Sequence, residues 1–128
     1  MIVGLGARPG TPASTLTAAI HAALAAAGLS PGDVGVLATL DRRAAEDGVR
    51  AVAADLGWKL AAYPASELAA QHVPHPSETV AATVGTPSVA EAAALAAAGP
   101  HAVLLLPKRV FAAVTVAVAD EGFPLRHR

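Results

Sequence analysis

Short apolar blocks and longer alanine-rich blocks alternate along this chain, and their periods differ. "IVGLGA" (2–7) reads as a buried strand. After a Gly-Pro corner, the alanine-rich segment 14–27 reads as a helix that Gly28 terminates. "SPGDVGVLATL" gives a turn and a second strand near 34–40, residues 44–56 form a helix stopped by Gly57, and "WKLAAY" is a third strand. Short helices are expected at 66–71 and 77–84, and another at 88–98 that Gly99-Pro100 ends. "HAVLLLP" reads as a strand closed by Pro107; "VFAAVTVAVA", valine-rich and apolar on both faces, fits a strand covered by helices on both sides. This alternation predicts an α/β fold, a single three-layer α/β/α domain with a mixed sheet of about five strands. Only Pro107, Lys108 and Arg109 separate the last two strands, too few for a parallel crossover, so that pair is expected to be antiparallel. The domain is expected over 1–119, with 120–128 a flexible polar tail.

A chain of 128 residues suits one core. Hydrophobic residues make up 54%, but much of that is alanine, which buries little area and favours helix. No apolar run reaches the roughly 20 residues of a membrane span. The opening "MIVGLGARPG" carries neither a charged n-region nor a long apolar h-region, so a cytoplasmic protein without a membrane partner is expected. Zero cysteines exclude disulfides, thiol nucleophiles and thiolate metal sites. A net charge of −1, 3% aromatic residues and no basic run argue against nucleic acid as a partner.

In an α/β sheet, strand ends and helix starts collect along one edge, the usual ligand crevice. "GLGARPGTPAS" places Gly4, Gly6 and Gly10 where the backbone can approach closely, then Thr11 and Ser14 before a helix, with Arg8 at the centre. A plain turn before a helix accounts for these glycines equally well. The spacing is one residue longer than the dinucleotide fingerprint and no acidic residue stands at the expected distance beyond it, so no cofactor is expected. "ATLDRRAAEDG" brings Thr39, Asp41, Arg42 and Arg43 to a second strand end, where Asp41 either caps a helix or serves a site. In "HVPHPSETVAATVGTPSVAEAAALAAAG", Ser77 and Ser88 are placed as helix caps, and Glu91 three residues after Ser88 completes a capping-box pattern. Gly85, Thr86 and Pro87 make a corner whose helix start offers free N–H groups to a carboxylate or phosphate.

Lys108 and Arg109 add cations after a fourth strand, either as a solvated hairpin or as part of a basic rim. A polyanionic small molecule would suit such a rim. His72 and His75 have a metal-like spacing, but Pro74 breaks a regular helix face and no third ligand stands by, so no metal site is expected. No G-x-S-x-G, HExxH or Walker pattern is present.

"VPHPSETVAATVGTPSVAEAAAL" resembles the V-P-N-P-S…V-G-T-P-S-V-A-E-A-A-A-L signature of the CobE/CbiG carboxy-terminal domain family of cobalamin biosynthesis. "VGLGARPGT", "ATLDRRAAEDG" and "LLPKRVFAAVTVAVA" resemble three further segments of that family, in order, so the resemblance covers nearly the whole chain. Ala7 stands where the family often has cysteine, His75 where it has asparagine and Arg43 where lysine is frequent, and Val110 to Ala113 is more apolar than the usual turn. The resemblance implies a corrinoid ligand carrying many acetate and propionate carboxylates, the polyanion that the basic rim calls for. Two-domain members open the ring A δ-lactone of cobalt-precorrin-5A with loss of acetaldehyde. The chain is expected to lack their amino-terminal domain and is similar to the stand-alone CobE type, with other cobalamin-pathway enzymes expected as partners.

The expected substrate-binding residues are therefore Gly6, Arg8, Gly10, Thr11, Thr39, Asp41, Arg43, Ser77, Gly85, Thr86, Ser88 and Lys108. Were the chain a hydrolase, Asp41 and Glu78 are the candidate general bases, Glu91 being taken up by its cap. A phosphate or mononucleotide binder using the glycine-rich loop is the remaining alternative.

Overall fold

The computed structural model describes residues 1–70, 88–111 and 113–121. In chain order it holds β1 (Ile2–Gly6), α1 (Ala13–Ala27), a 3₁₀ turn (Pro31–Asp33), β2 (Val36–Leu40), α2 (Asp41–Ala44), α3 (Asp47–Leu56), β3 (Lys59–Tyr63), α4 (Ala65–Ala69), α5 (Val89–Ala98), β4 (Val103–Phe111) and β5 (Val114–Asp120). The strands form one mixed sheet in the order β3-β2-β1-β5-β4. β1, β2 and β3 are parallel, joined by helical crossovers, while β5 runs antiparallel to both its neighbours.

Helices cover both faces. On one, α1 buries Leu16, Ala19, Ile20, Ala23 and Leu24, a stripe at helical spacing, against Val3, Leu5, Val114, Val116 and Val118, with Val49 and Val52 of α3 beside them. Gly28 ends α1 in the left-handed region (φ 73°), and Leu29 N–H closes the turn on Leu24 O. On the other face, α5 packs Ala92, Ala93, Ala94, Leu95 and Ala98 against Ile2, Ala38 and Ala119, with Leu68 of α4 alongside. The alanines make a thin helix that can lie close to the sheet. A Cβ at Gly4 would fall 1.9 Å from Ala90 O and 2.9 Å from Ala94 Cβ, so the close approach that Gly4 permits is taken by α5.

Three local expectations need correction. Residues 44–56 do not form one helix: α2 starts at Asp41, directly off β2, and a break at Ala45 and Glu46 precedes α3. Asp41 sits in the first turn of α2 and makes no side-chain cap. Pro107 does not close a strand either. β4 continues through Pro107, Lys108 and Arg109 to Phe111, and the hairpin turns beyond it, where Ala113 takes φ 68°. β4 is an edge strand with register shifts between Leu104 and Leu106 and between Leu106 and Arg109, and Pro107, a residue without an N–H, fits within the second of them. The first shift places Leu104 with the α5-side core and Leu106 with the α1-side core. The antiparallel pairing itself is present. The helix expected at 77–84 lies outside the described residues.

Candidate functional site

β1 and β2 end together at one edge of the sheet, and both strands lead there into polar segments. After β1 the chain turns through Arg8, Pro9 and Gly10, with Pro9 and Gly10 exposed and Arg8 beside them at the surface. Thr11 shapes this turn, its hydroxyl donating to Arg8 O at 2.8 Å and its N–H to the same oxygen at 3.3 Å. Gly10 takes φ 79°, a backbone shape that favours glycine. Among the described residues the Arg8 guanidinium has no hydrogen-bond or ion-pair partner. After β2, Asp41 and Arg42 are exposed on α2, and Arg43 is folded inward, its side chain 12% exposed.

Glu46 joins the two strand ends. Its Oε1 accepts Gly10 N–H at 3.0 Å and its Oε2 accepts Arg43 Nη1 at 2.5 Å, so one carboxylate ties the first loop to α2. Two residues on, a Cβ at Gly48 would fall 3.0 Å from Thr11 O, so the start of α3 also leans on that loop. Glu46 was not among the residues expected from the sequence. The signal available was its place three residues after Arg43, the spacing of a helical ion pair.

On the other face, α5 begins beside β1: a Cβ at Gly6 would sit 3.7 Å from Ala90 N and 3.6 Å from Thr115 Cβ. Thr115 pairs with Gly6 across β5 and β1, and so joins the same edge, again a residue that sequence reasoning passed over. Ser88 is the N-cap of α5, its Oγ accepting Glu91 N–H at 3.4 Å. The Glu91 carboxylate does something other than completing a capping box. It is wholly buried, and its Oε2 accepts Lys108 N–H at 3.0 Å, within the second bulge of β4. That bond satisfies an N–H at a register shift. Its Oε1 has no hydrogen-bond partner among the described residues.

The expected residues therefore divide. Gly6, Arg8, Gly10, Thr11, Asp41, Arg43 and Ser88 stand along or next to the strand-end edge. Thr39 is wholly buried, with its hydroxyl donating to Leu5 O at 2.7 Å, a bond that pins β2 to β1 beneath the edge. Lys108 lies within β4, three residues before its end, rather than in a turn. Ser77, Glu78, Gly85 and Thr86 lie outside the described residues, as do His72 and His75. Among the described residues no group of three or more His, Cys, Asp or Glu stands where it could hold a metal ion, and no helix is long and apolar enough to cross a membrane.

The fold and this sequence match known proteins closely. The family described as Cobalamin synthesis G C-terminus matches residues 1–119. Protein CobE of a Sinorhizobium species is 42% identical over 121 residues, covering 93% of this chain and 79% of that protein. A crystal structure of CobE, from the cobalamin biosynthetic pathway, superposes with a TM-score of 0.79 at 33% identity, over 92% of this chain and 87% of that one. The cobalt-precorrin-5A hydrolase of Priestia megaterium is 31% identical over 119 residues, which are 93% of this chain but 32% of the enzyme. With its mixed five-stranded α/β sheet and a match over nearly its whole length, this chain belongs to the Cobalamin synthesis G C-terminus family and is a cobalamin-biosynthesis protein.

Proposed function

We propose that the protein works in the cytoplasm and binds a corrinoid polycarboxylate intermediate across the edge formed by Arg8, Gly10, Asp41, Arg43 and the start of α5. The observation that carries this reading is that the first loop, which bears Arg8 and is tied through Glu46 to Arg43, follows the end of β1 beside which α5 begins. A guanidinium holds a carboxylate through two parallel hydrogen bonds, and a helix start adds N–H donors and a positive dipole end. Corrinoid intermediates present several acetate and propionate groups at spacings that a rim of this kind can engage. In this reading Lys108 of β4 is a further ligand-binding residue, as are Ser77, Gly85 and Thr86, which lie outside the described residues. Arg8 is exposed in a surface loop, so its replacement is expected to change folding little and binding more. Titrating the protein with cobyrinic acid and following the visible absorbance should show binding that Arg8→Lys weakens. Arg8→Ala should weaken it further, by about 1.5–3 kcal/mol for one lost charge-assisted bond. Unchanged affinity with a lowered melting temperature would make Arg8 a structural residue of the first loop and move the binding edge elsewhere.

A second reading, favoured by the similarity to a cobalt-precorrin-5A hydrolase, is lactone opening with Asp41 or Glu78 as general base. Asp41 is exposed at the start of α2 and open to water. Acetaldehyde released from a lactone-bearing corrinoid, and lost in Asp41→Asn or Glu78→Gln, would establish the enzyme; bound colour without acetaldehyde leaves a binding protein.

A further inference from the structure

We infer that Glu46 is a positioning residue for carboxylate recognition, holding the first loop and Arg43 at a fixed separation so that the ligand meets both at once; this rests on the strand-end edge being the corrinoid site. Three observations converge on it. The two oxygens of Glu46 are shared between donors from different elements, Gly10 N–H on the first loop and Arg43 Nη1 on α2. Glu46 itself is anchored at the N-cap of α3, and Gly48 in the first turn of that helix packs against Thr11 O. The pair is largely withdrawn from solvent, at 12% for the Arg43 side chain and 26% for Glu46, so the contact is less screened than a surface ion pair.

A guanidinium has five N–H donors. Glu46 occupies Nη1 and leaves the remaining donors of Arg43 outside that bond, in an orientation set by the fork geometry. On the other oxygen, the Gly10 bond restrains a loop whose Arg8 side chain has no such tether among the described residues. A ligand carboxylate would gain little by displacing Glu46 from this charge-assisted pair, since it would only replace one carboxylate with another. Glu46 therefore acts as a brace that preorganises the two sides of the crevice, reducing the ordering cost of binding.

Glu46→Gln, Glu46→Ala, Arg43→Ala and the double variants should be titrated with cobyrinic acid. Backbone amide exchange at residues 8–11 should be measured in each ligand-free protein. A brace predicts that Glu46→Ala weakens binding by roughly tenfold. Glu46→Gln, which keeps an oxygen for Gly10 N–H and loses the charge, should fall between it and the parent. In the double variants the losses should be markedly less than additive, and exchange at 8–11 should quicken in Glu46→Ala. If Glu46→Ala does not fold, Glu46→Gln with Arg43→Ala supplies the same cycle. Tighter or unchanged binding on losing Glu46, or fully additive losses, overturns the inference while leaving the edge as the binding site. A parent protein that binds no cobyrinic acid overturns the reading of the edge and this inference with it.

Discussion

A methyl group at Gly4 has nowhere to go, because its nearest neighbour at 1.9 Å is the backbone oxygen of Ala90, which cannot rotate aside. Gly6 differs: its nearest heavy atom would be 3.6 Å away, an ordinary contact. Gly4→Ala should therefore lift α5 from the sheet and cost about 1–3 kcal/mol, while Gly6→Ala should stay within roughly 1 kcal/mol of the parent. Urea midpoints of the two variants check this, and equal losses would mean that α5 does not set the demand. The spacing of these glycines announced a close approach to the backbone, but a ligand and a helix make the same request of a sequence. Asp33 offers a second test at this scale. Hydrogen bonds from Ser30, first its N–H at 2.9 Å and then its hydroxyl at 3.1 Å, hold the Asp33 carboxyl below its ordinary value of 3.8. A lowered folded-state value means that the carboxylate form stabilises the fold above the ordinary value, and that this contribution is lost as pH falls through the lowered one. Asp33→Asn should therefore lose stability at neutral pH and show a shallower acid decline in thermal melts than the parent.

The elements legible from period alone were those that bury a stripe or a whole face, such as α1 with its leucine and isoleucine spacing and β5 with its valines. β4 was legible only in part. A proline reads as a strand terminator because it cannot donate to a ladder, yet at a sheet edge one side of the strand has no ladder to lose. Its two bulges and the Pro107, Lys108, Arg109 run also protect an edge that leaves Val103, Leu105 and Val110 exposed, since bulges, proline and charge all hinder pairing with another strand. The cost of continuing β4 falls on the turn, where Ala113 adopts φ 68° without being glycine. An alanine there costs about 1–2 kcal/mol through its Cβ. A glycine removes that cost but adds unfolded-chain freedom worth about 0.4–1 kcal/mol. Ala113→Gly should accordingly raise stability by up to about 1.6 kcal/mol, read as a higher melting temperature. A lower one would show that the turn is held by contacts that the extra freedom loosens.

Across the molecule, the chain winds β1, β2 and β3 to one side, then crosses to place β5 and β4 on the other, so α1 leaves the β1 edge on one face while α5 begins on the opposite face. Such a reversal is where ligand crevices form in open α/β sheets. The layers and the mixed sheet could be read from alternation and from the short link between the last strands. The brace across the crevice could not, because Gly10 and Glu46 lie 36 residues apart and meet only once β1 and β2 pair. With a net charge of −1, the protein has little long-range attraction for a polyanion. Any electrostatic gain must come from the local group of Arg8, Arg42 and Arg43, and it is screened over about 10 Å at 0.1 M salt. Raising ionic strength from about 0.05 to 0.5 M should weaken cobyrinic acid binding, since the solvent-facing charges of Arg8 and Arg42 lose most of their reach. The dependence should be shallower in Arg8→Ala, which removes one such charge, and shallower still for a corrinoid whose side-chain acids are converted to amides. Arg43 should contribute little to the slope, because it is largely withdrawn from solvent and paired with Glu46. Binding that is insensitive to salt in the parent, or equally strong for the amide, would mean that the ring rather than its carboxylates is recognised, and would remove the arginines at the strand ends from the recognition surface.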